Sequence, residues 1–191
     1  MALLREQFRR TGEPVIATFQ FEDIINGAGI VVFYGQIQQT CAATTYNLVT
    51  NTLPSRGEAA DRFINQTNSP YSFNSAVFNS PRTITGTAIV ICELHETTAS
   101  SVSPTVTFQH VDASSNVTNI SSAITGSGSD QNGYVYNFPV VLTKKLFKKG
   151  ETLRVLFSHP TASNSDIACD PSGEYQSAQP MQFHVPFKID L

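Results

Sequence analysis

The sequence predicts an all-β fold: a single-domain β-sandwich of jelly-roll type with eight to nine strands and a short N-terminal arm or helix. Three observations carry this prediction. Apolar and polar residues alternate with period two in one segment after another, which puts one side chain in two toward a core. Gly, Asn and Ser clusters with turn chemistry separate those segments. Helical periodicity is confined to residues 2–10 and 55–66, where Ser55 with Glu58 three residues on has the form of a capping box.

Taken in order, the predicted strands are Val15 to Glu22, Gly29 to Gln36, Tyr46 to Thr50, Tyr71 to Asn79, Thr83 to His95, Thr105 to Val111, Tyr134 to Thr143, Thr152 to His159 and Met181 to Asp190. "INGAG" supplies a turn before "IVVFYG", and "KKGE" at 148–151 turns "VYNFPVVLT" into "TLRVLF". Residues 112–132 are polar and Gly/Ser-rich and predict a long exposed loop or an irregular hairpin; residues 160–180 have the same character. Pro186 has no N–H for a ladder, so the last strand is expected at a sheet edge or bulged there. No internal repeat or linker divides the chain, so residues 1–13 are assigned to the arm and 14–191 to the domain.

The segment Thr83 to His95 raises the question on which function turns. One face carries Ile84, Gly86, Ala88, Val90, Cys92 and Leu94, as a core requires. The other starts with Thr83, Thr85 and Thr87 but then presents Ile89 and Ile91 before Glu93 and His95. Those two isoleucines need a cover, from this chain or from another.

Composition narrows the possibilities. Charged residues make up 14% of the 191, and Ser, Thr and Asn together about a quarter, so the surface is polar but weakly charged. Such a surface meets another protein with little charge to desolvate. The net charge is −3, which leaves no broad basic surface for nucleic acid. Residues 1–12 hold Arg5, Arg9 and Arg10 against Glu6, so this segment is +2 and the remainder −5. No apolar run approaches the roughly 20 residues of a membrane helix, and the first residues lack a secretory leader's pattern, so cytoplasmic synthesis is expected and no membrane partner. The sequons at Asn65, Asn116 and Asn119 are accordingly expected to be chance matches.

Reactive chemistry is thinly represented. Cys41, Cys92 and Cys169 are scattered without CxxC spacing, and Cys92 reads as a small buried hydrophobe. "ELHE" could put Glu93 and His95 on one strand face as two metal ligands, with His110, His159 or His184 as a third, against the simpler reading of solvated residues at a strand end. No GxSxG nucleophile turn or phosphate loop occurs. Six tyrosines, Tyr34, Tyr46, Tyr71, Tyr134, Tyr136 and Tyr175, could form a sugar platform, although no Trp is present and Tyr on alternating strands usually lines a core edge. "TKKLFKKG" puts Lys144, Lys145, Lys148 and Lys149 around one turn, either to blunt a sheet edge or to grip an acidic surface. No catalytic, cofactor or metal residue is assigned.

Three segments in order, "FQFEDIINGAGIVVFYGQ" (19–36), "FNSPRTITGTAIV" (78–90) and "KKLFKKGETLRVLF" (144–157), resemble the β-sandwich structural proteins of tailed bacteriophages, particularly small virion components of aquatic phages. These are scaffold features, and no family site residue is carried over. The resemblance implies a jelly-roll protein of the virion, made in the host cytoplasm, of the capsid cement or decoration type, with the major capsid protein or another virion protein as partner and a homotrimer as the favoured oligomer. The expectation is therefore a noncatalytic protein that works by adhesion and needs no cofactor. Its contacts are assigned to Leu3, Leu4, Arg5, Phe8, Arg9 and Arg10 of the arm and to Ile89 and Ile91, with the loops at 112–132 and 160–180 facing outward or bridging capsomers. The alternatives are a tail or head-fibre module binding host glycans, and a hydrolase or metal enzyme.

Overall fold

The computed structural model describes residues 28–39, 44–50, 63–64, 70–96, 103–129, 134–158, 165–168 and 181–189. Every regular element among them is a strand: β1 (Ala28–Gln39), β2 (Thr44–Val49), β3 (Phe63–Ile64), β4 (Tyr71–Ser75), β5 (Arg82–Glu96), β6 (Thr105–Val111), β7 (Val117–Asn119), β8 (Ile124–Thr125), β9 (Ser127–Ser129), β10 (Tyr134–Phe147), β11 (Thr152–Ser158), β12 (Ser165–Ala168) and β13 (Gln182–Ile189). The architecture is all-β, as the sequence predicts. The arm at 1–13 and the predicted strand Val15 to Glu22 lie outside the described residues. The helix expected at 55–66 does not reach its end, because Phe63 and Ile64 pair with Ala168 and Ile167 as a short strand.

The strands join one mixed sheet in the order β3-β12-β5-β13-β1-β2-β4-β11-β6-β7, with β10 and β9 branching from β5 and β8 from β6. All pairs are antiparallel except β2 with β4. β5 runs for 15 residues, long enough to pair β12 and β13 in succession along one edge and β10 along the other. The pairing defines an all-β mixed sheet that branches at β5 and at β6.

Ring contacts show how far the sheet curls. Laid flat at about 4.8 Å per strand, β13 and β4 would be about 14 Å apart, and β10 and β11 about 29 Å. Yet the Phe73 ring of β4 sits 5.6 Å from that of Phe183 in β13, and Phe138 of β10 sits 5.9 Å from Phe157 of β11. The inner face therefore folds over on itself around Phe73, Phe108, Phe138, Phe147, Phe157 and Phe183, none of which has measurable exposure. Thr143 N–H donates to the Ile120 carbonyl at 2.7 Å and closes the seam between β10 and the segment after β7.

The last strand corrects one expectation. β13 is not at an edge; it lies between β1 and β5. The pyrrolidine is accommodated by the other expected device, an irregularity between His184 and Phe187 opposite β5. Gly86 of β5 faces it with φ of +108°, and a Cβ there would stand 3.4 Å from Pro186 Cγ. The space is ordinary but the backbone is not, since an L side chain is disfavoured at such φ by about 1–2 kcal/mol. Gly86→Ala is accordingly expected to lower the free energy of unfolding by that amount, read as a lower urea midpoint at an unchanged m-value.

Residues 112–129, the described part of the segment 112–132, take the irregular-hairpin alternative. The Asp112 carboxylate accepts the backbone N–H groups of Ser114 and Asn116, both at 2.8 Å, and the Asn116 amide at 2.8 Å. These bonds, first the one from the Asn116 side chain, hold the Asp112 carboxyl below its usual range. Ser115 takes the left-handed conformation at φ of 67°. The tight turn sends β7 back along β6, and Ile120 then inserts into the core.

Candidate docking face and buried acid–histidine pair

The outer face of β1, β13, β5 and β10 gathers the apolar residues that the core does not use. Because directly paired residues share a face, the register aligns Val32, His184, Ile89 and Pro139 in one row. Tyr34, Gln182, Ile91 and Asn137 form the next row. Ile30 stands opposite Pro186, and Val141 opposite Thr87. Ile30 is 55% exposed, Ile89 44% and Val141 71%, values far from those of core residues on the same strands. Ile91 is half-buried. The sequence-level question about the two isoleucines is thus answered in part: they belong to an apolar face that remains open to solvent at its centre. Isolated exposed apolar residues are ordinary, whereas these stand on adjacent strands of one face.

This face has electrical polarity. Lys188 and Leu146 flank Thr83 at one end, next to exposed Lys144, and the exposed Lys148 and Lys149 follow in the β10–β11 turn. Glu93, opposite Val135, lies at the other end. Arg82 borders the basic end, with its guanidinium 5.7 Å from the Phe78 ring centre and 5.6 Å from that of Phe187. Burial lowers its pKa from the ordinary value.

Inside, His110 of β6 and Glu151, just before β11, are both buried and meet at 2.8 Å between Nε2 and Oε2. The same carboxylate oxygen accepts the Lys148 backbone N–H at 2.7 Å, and Lys148 begins the predicted "KKGE" turn, with Gly150 at φ of +88°. Burial alone would raise the Glu151 carboxyl. The hydrogen bonds from His110 and Lys148, aided by their charges, outweigh it and hold the group below its usual range. The His110 ring also stands edge-on to Phe147 at 4.8 Å. This acid–histidine pair pins the lysine-rich turn to β6. Sequence inspection considered His110 only as a metal ligand; the available signal was Glu151 directly after a Gly turn in a strand whose other inward positions are apolar.

The other sequence-level candidates do not converge. Glu93 is on the outer face, whereas His110 is committed to Glu151 and His184 lies 3.1 Å from Gln182. Among the described residues, no group of three His, Cys, Asp or Glu side chains could hold a metal. His159, Cys41, Cys169 and Tyr175 lie outside those residues, as do Leu3, Leu4, Arg5, Phe8, Arg9 and Arg10. Of the tyrosines, Tyr71 and Tyr136 are buried and Tyr46 packs edge-on against Tyr71 and Phe73 at 5.0 and 5.6 Å, so these three line the core rather than a sugar platform. Cys92 is buried, as expected. No helix among the described residues is long and apolar enough to cross a membrane.

Two crystal structures of a CocE/NonD family hydrolase from Staphylococcus aureus share this fold. Their TM-scores are 0.56 and 0.58 at 10% and 12% sequence identity, with 83% and 85% of this chain covered. An α-amino acid ester hydrolase aligns over 83% of this chain at 14% identity and a TM-score of 0.48. The chain matches only 37%, 37% and 35% of the lengths of those three proteins. No protein-family model and no curated protein matches it. The expectation of a noncatalytic protein is corrected by this finding, because the protein of the first two structures is a hydrolase. At such low identity the likeness concerns the fold, and the activity remains a property of those enzymes.

Proposed function

We propose that this chain is an adhesive β-module of a virus particle, a cement that joins neighbouring capsid subunits. The observation that carries the proposal is the open apolar face centred on Ile89, built on paired strands rather than on loops. A low charge density keeps the desolvation cost of such a contact small. Many copies on a repeating lattice add modest contacts through effective concentration, so that no single interface has to be tight. The arm residues Leu3, Leu4, Arg5, Phe8, Arg9 and Arg10 supply a second attachment to the capsid protein in this account, and the homotrimer is its expected oligomer on the particle.

The test replaces the wild-type chain with Ile89→Lys during particle assembly and measures how much chain co-purifies with particles. Burying an unpaired ammonium in an apolar contact costs several kcal/mol, so retention is expected to fall at least about tenfold. Undiminished retention would overturn the role of this face.

The fold neighbours favour a second reading, in which the chain is the β portion of a hydrolase whose remaining length comes from other polypeptide. Turnover of simple esters by the purified chain, alone or with a co-purifying protein, would select it over the cement.

A further inference from the structure

We propose that the lysine-bearing end of the sheet docks an acidic stretch of polypeptide on a partner protein. The inference rests on the adhesive reading and deepens it, because it gives the chemistry of what the chain adheres to. All five lysines of the chain, Lys144, Lys145, Lys148, Lys149 and Lys188, fall at this end, although the net charge is −3. They come from two segments far apart in the chain, which meet because Thr83 pairs with Leu146 on one side and with Lys188 on the other. With neighbouring strands about 4.8 Å apart, the Leu146 and Lys188 backbones are roughly 10 Å from each other. That is about one Debye length at physiological salt, so charges at this spacing act together.

Blunting a sheet edge does not account for the whole group. Lysines protect an open edge, but Lys188 stands on β13, between β1 and β5. Neutralisation within the fold does not account for it either. Among the described residues, none of the five ammonium groups lies within ion-pair distance of a carboxylate. The acids that the turn and β6 supply are spent elsewhere: Glu151 accepts from His110 and from the Lys148 backbone, and Asp112 from Ser114 and Asn116. Arg82 adds a sixth cation at the same strand ends, stacked on Phe78 and Phe187. Like charges gathered this way repel one another, and an anionic partner relieves that repulsion. The turn is also held ready. Besides the Glu151 bonds, Phe78 N–H donates to the Glu151 carbonyl and Gly150 N–H to the Phe78 carbonyl, both at 2.9 Å, so less freedom is lost on docking.

The neighbouring apolar side chains select the class of anion. Leu146, 46% exposed, interrupts the run of lysines, and Val77, 56% exposed, precedes the Phe78 that ties down the turn. A phosphate backbone gives such side chains nothing apolar to meet, whereas a protein surface offers carboxylates and apolar groups together. Leu146 is fixed on a strand beside Thr83 rather than on a projecting tip, so it is not placed to enter a bilayer.

The experiment is fluorescence anisotropy of labelled poly-glutamate and of a glutamate–tyrosine copolymer of similar length, titrated with the purified full chain at low and at physiological salt. A DNA duplex and phosphatidylserine vesicles serve as the other polyanions. Both polypeptides are expected to bind with an affinity that falls as salt rises, the copolymer more tightly. Combining Lys144→Gln, Lys148→Gln, Lys149→Gln and Lys188→Gln should weaken both at least about tenfold at low salt, without lowering the urea midpoint. Leu146→Ser should remove the advantage of the copolymer and leave poly-glutamate binding unchanged.

A chain that binds neither polypeptide would overturn the proposal, as would a duplex or vesicles bound as tightly as the copolymer. A lowered urea midpoint in the four-lysine variant would overturn it too, by showing that the lysines are paired within the chain. Particle retention separates this inference from the cement. A chain that binds neither polypeptide but is lost from particles by Ile89→Lys refutes the acidic docking and keeps the cement; one that binds the copolymer and is retained equally with either residue at position 89 keeps the docking and refutes the role of the apolar face.

Discussion

Replacing Phe138 with alanine is expected to lower the free energy of unfolding by roughly 3–5 kcal/mol, the range for removing a buried phenyl ring. Phe138 has no exposed surface and meets Phe157 at 5.9 Å. That contact joins two strands that are distant along the pairing path, so its loss opens a cavity at the seam where the sheet closes. A domain with about 5–15 kcal/mol in total would keep little of it. The neighbouring Gly126 supplies the control. A Cβ at Gly126 would come within 2.6 Å of two Phe138 ring carbons, closer than atoms can approach. Gly126→Ala should therefore cost about 1–3 kcal/mol by overpacking in wild type, and much less in the Phe138→Ala background. Urea midpoints of the four proteins measure the coupling; additive losses would show that the ring has another position to occupy.

The strands were the legible part of this protein because their physical signal is local. Period-two alternation from Thr83 to His95 marks β5 to within a residue or two, and the KKGE turn is placed by a glycine that must take positive φ. Pairing partners carry no such local signal. Pro186 announces a missing N–H but does not say whether an edge or an irregularity absorbs it, and Gly86, some hundred residues earlier in the chain, decides the matter by facing it across the ladder. The Asp112 turn was masked by a polar, Ser-rich composition that also suits a loop, although Asp112 and Asn116 four residues on are the side chains that close it.

The candidate site divides in the same way. Ile89 and Ile91 stood out because apolar residues broke a polar face, and the structure leaves that face open at Ile89. Their companions Ile30, Pro139 and Val141 could not be recognised, since the outer side of a strand is defined only after the sheet order is known. The histidine–carboxylate pair was hidden for a related reason: residues 110 and 151 meet through the register of β6 with β11, which no spacing rule anticipates. Shared fold with hydrolases adds a constraint of another kind. The match spans about a third of the length of those enzyme structures.

Acidification is expected to loosen the lysine-rich turn before it unfolds the core. The Glu151 carboxyl is held below its ordinary value of 4.5 in the folded chain. Its bonds therefore contribute stability that is present in full above the unfolded value and is lost as pH falls through the lower, folded one. The sign follows from proton counting, because between the two values the unfolded chain binds more protons than the native state. Glu151→Gln keeps an oxygen that can accept from Lys148 N–H or His110 but removes the titration, so the slope of stability against pH below about 4.5 should flatten while that near neutrality changes little. Glu151→Ala is the larger perturbation. It leaves the buried His110 ring and the Lys148 N–H without their acceptor, at a cost of about 1–3 kcal/mol, and frees the turn from β6. Amide exchange at Lys148 and Gly150 should then accelerate more than exchange in β5. Equal acceleration in both places would mean that the pair supports the whole sheet rather than the turn that carries Lys148 and Lys149.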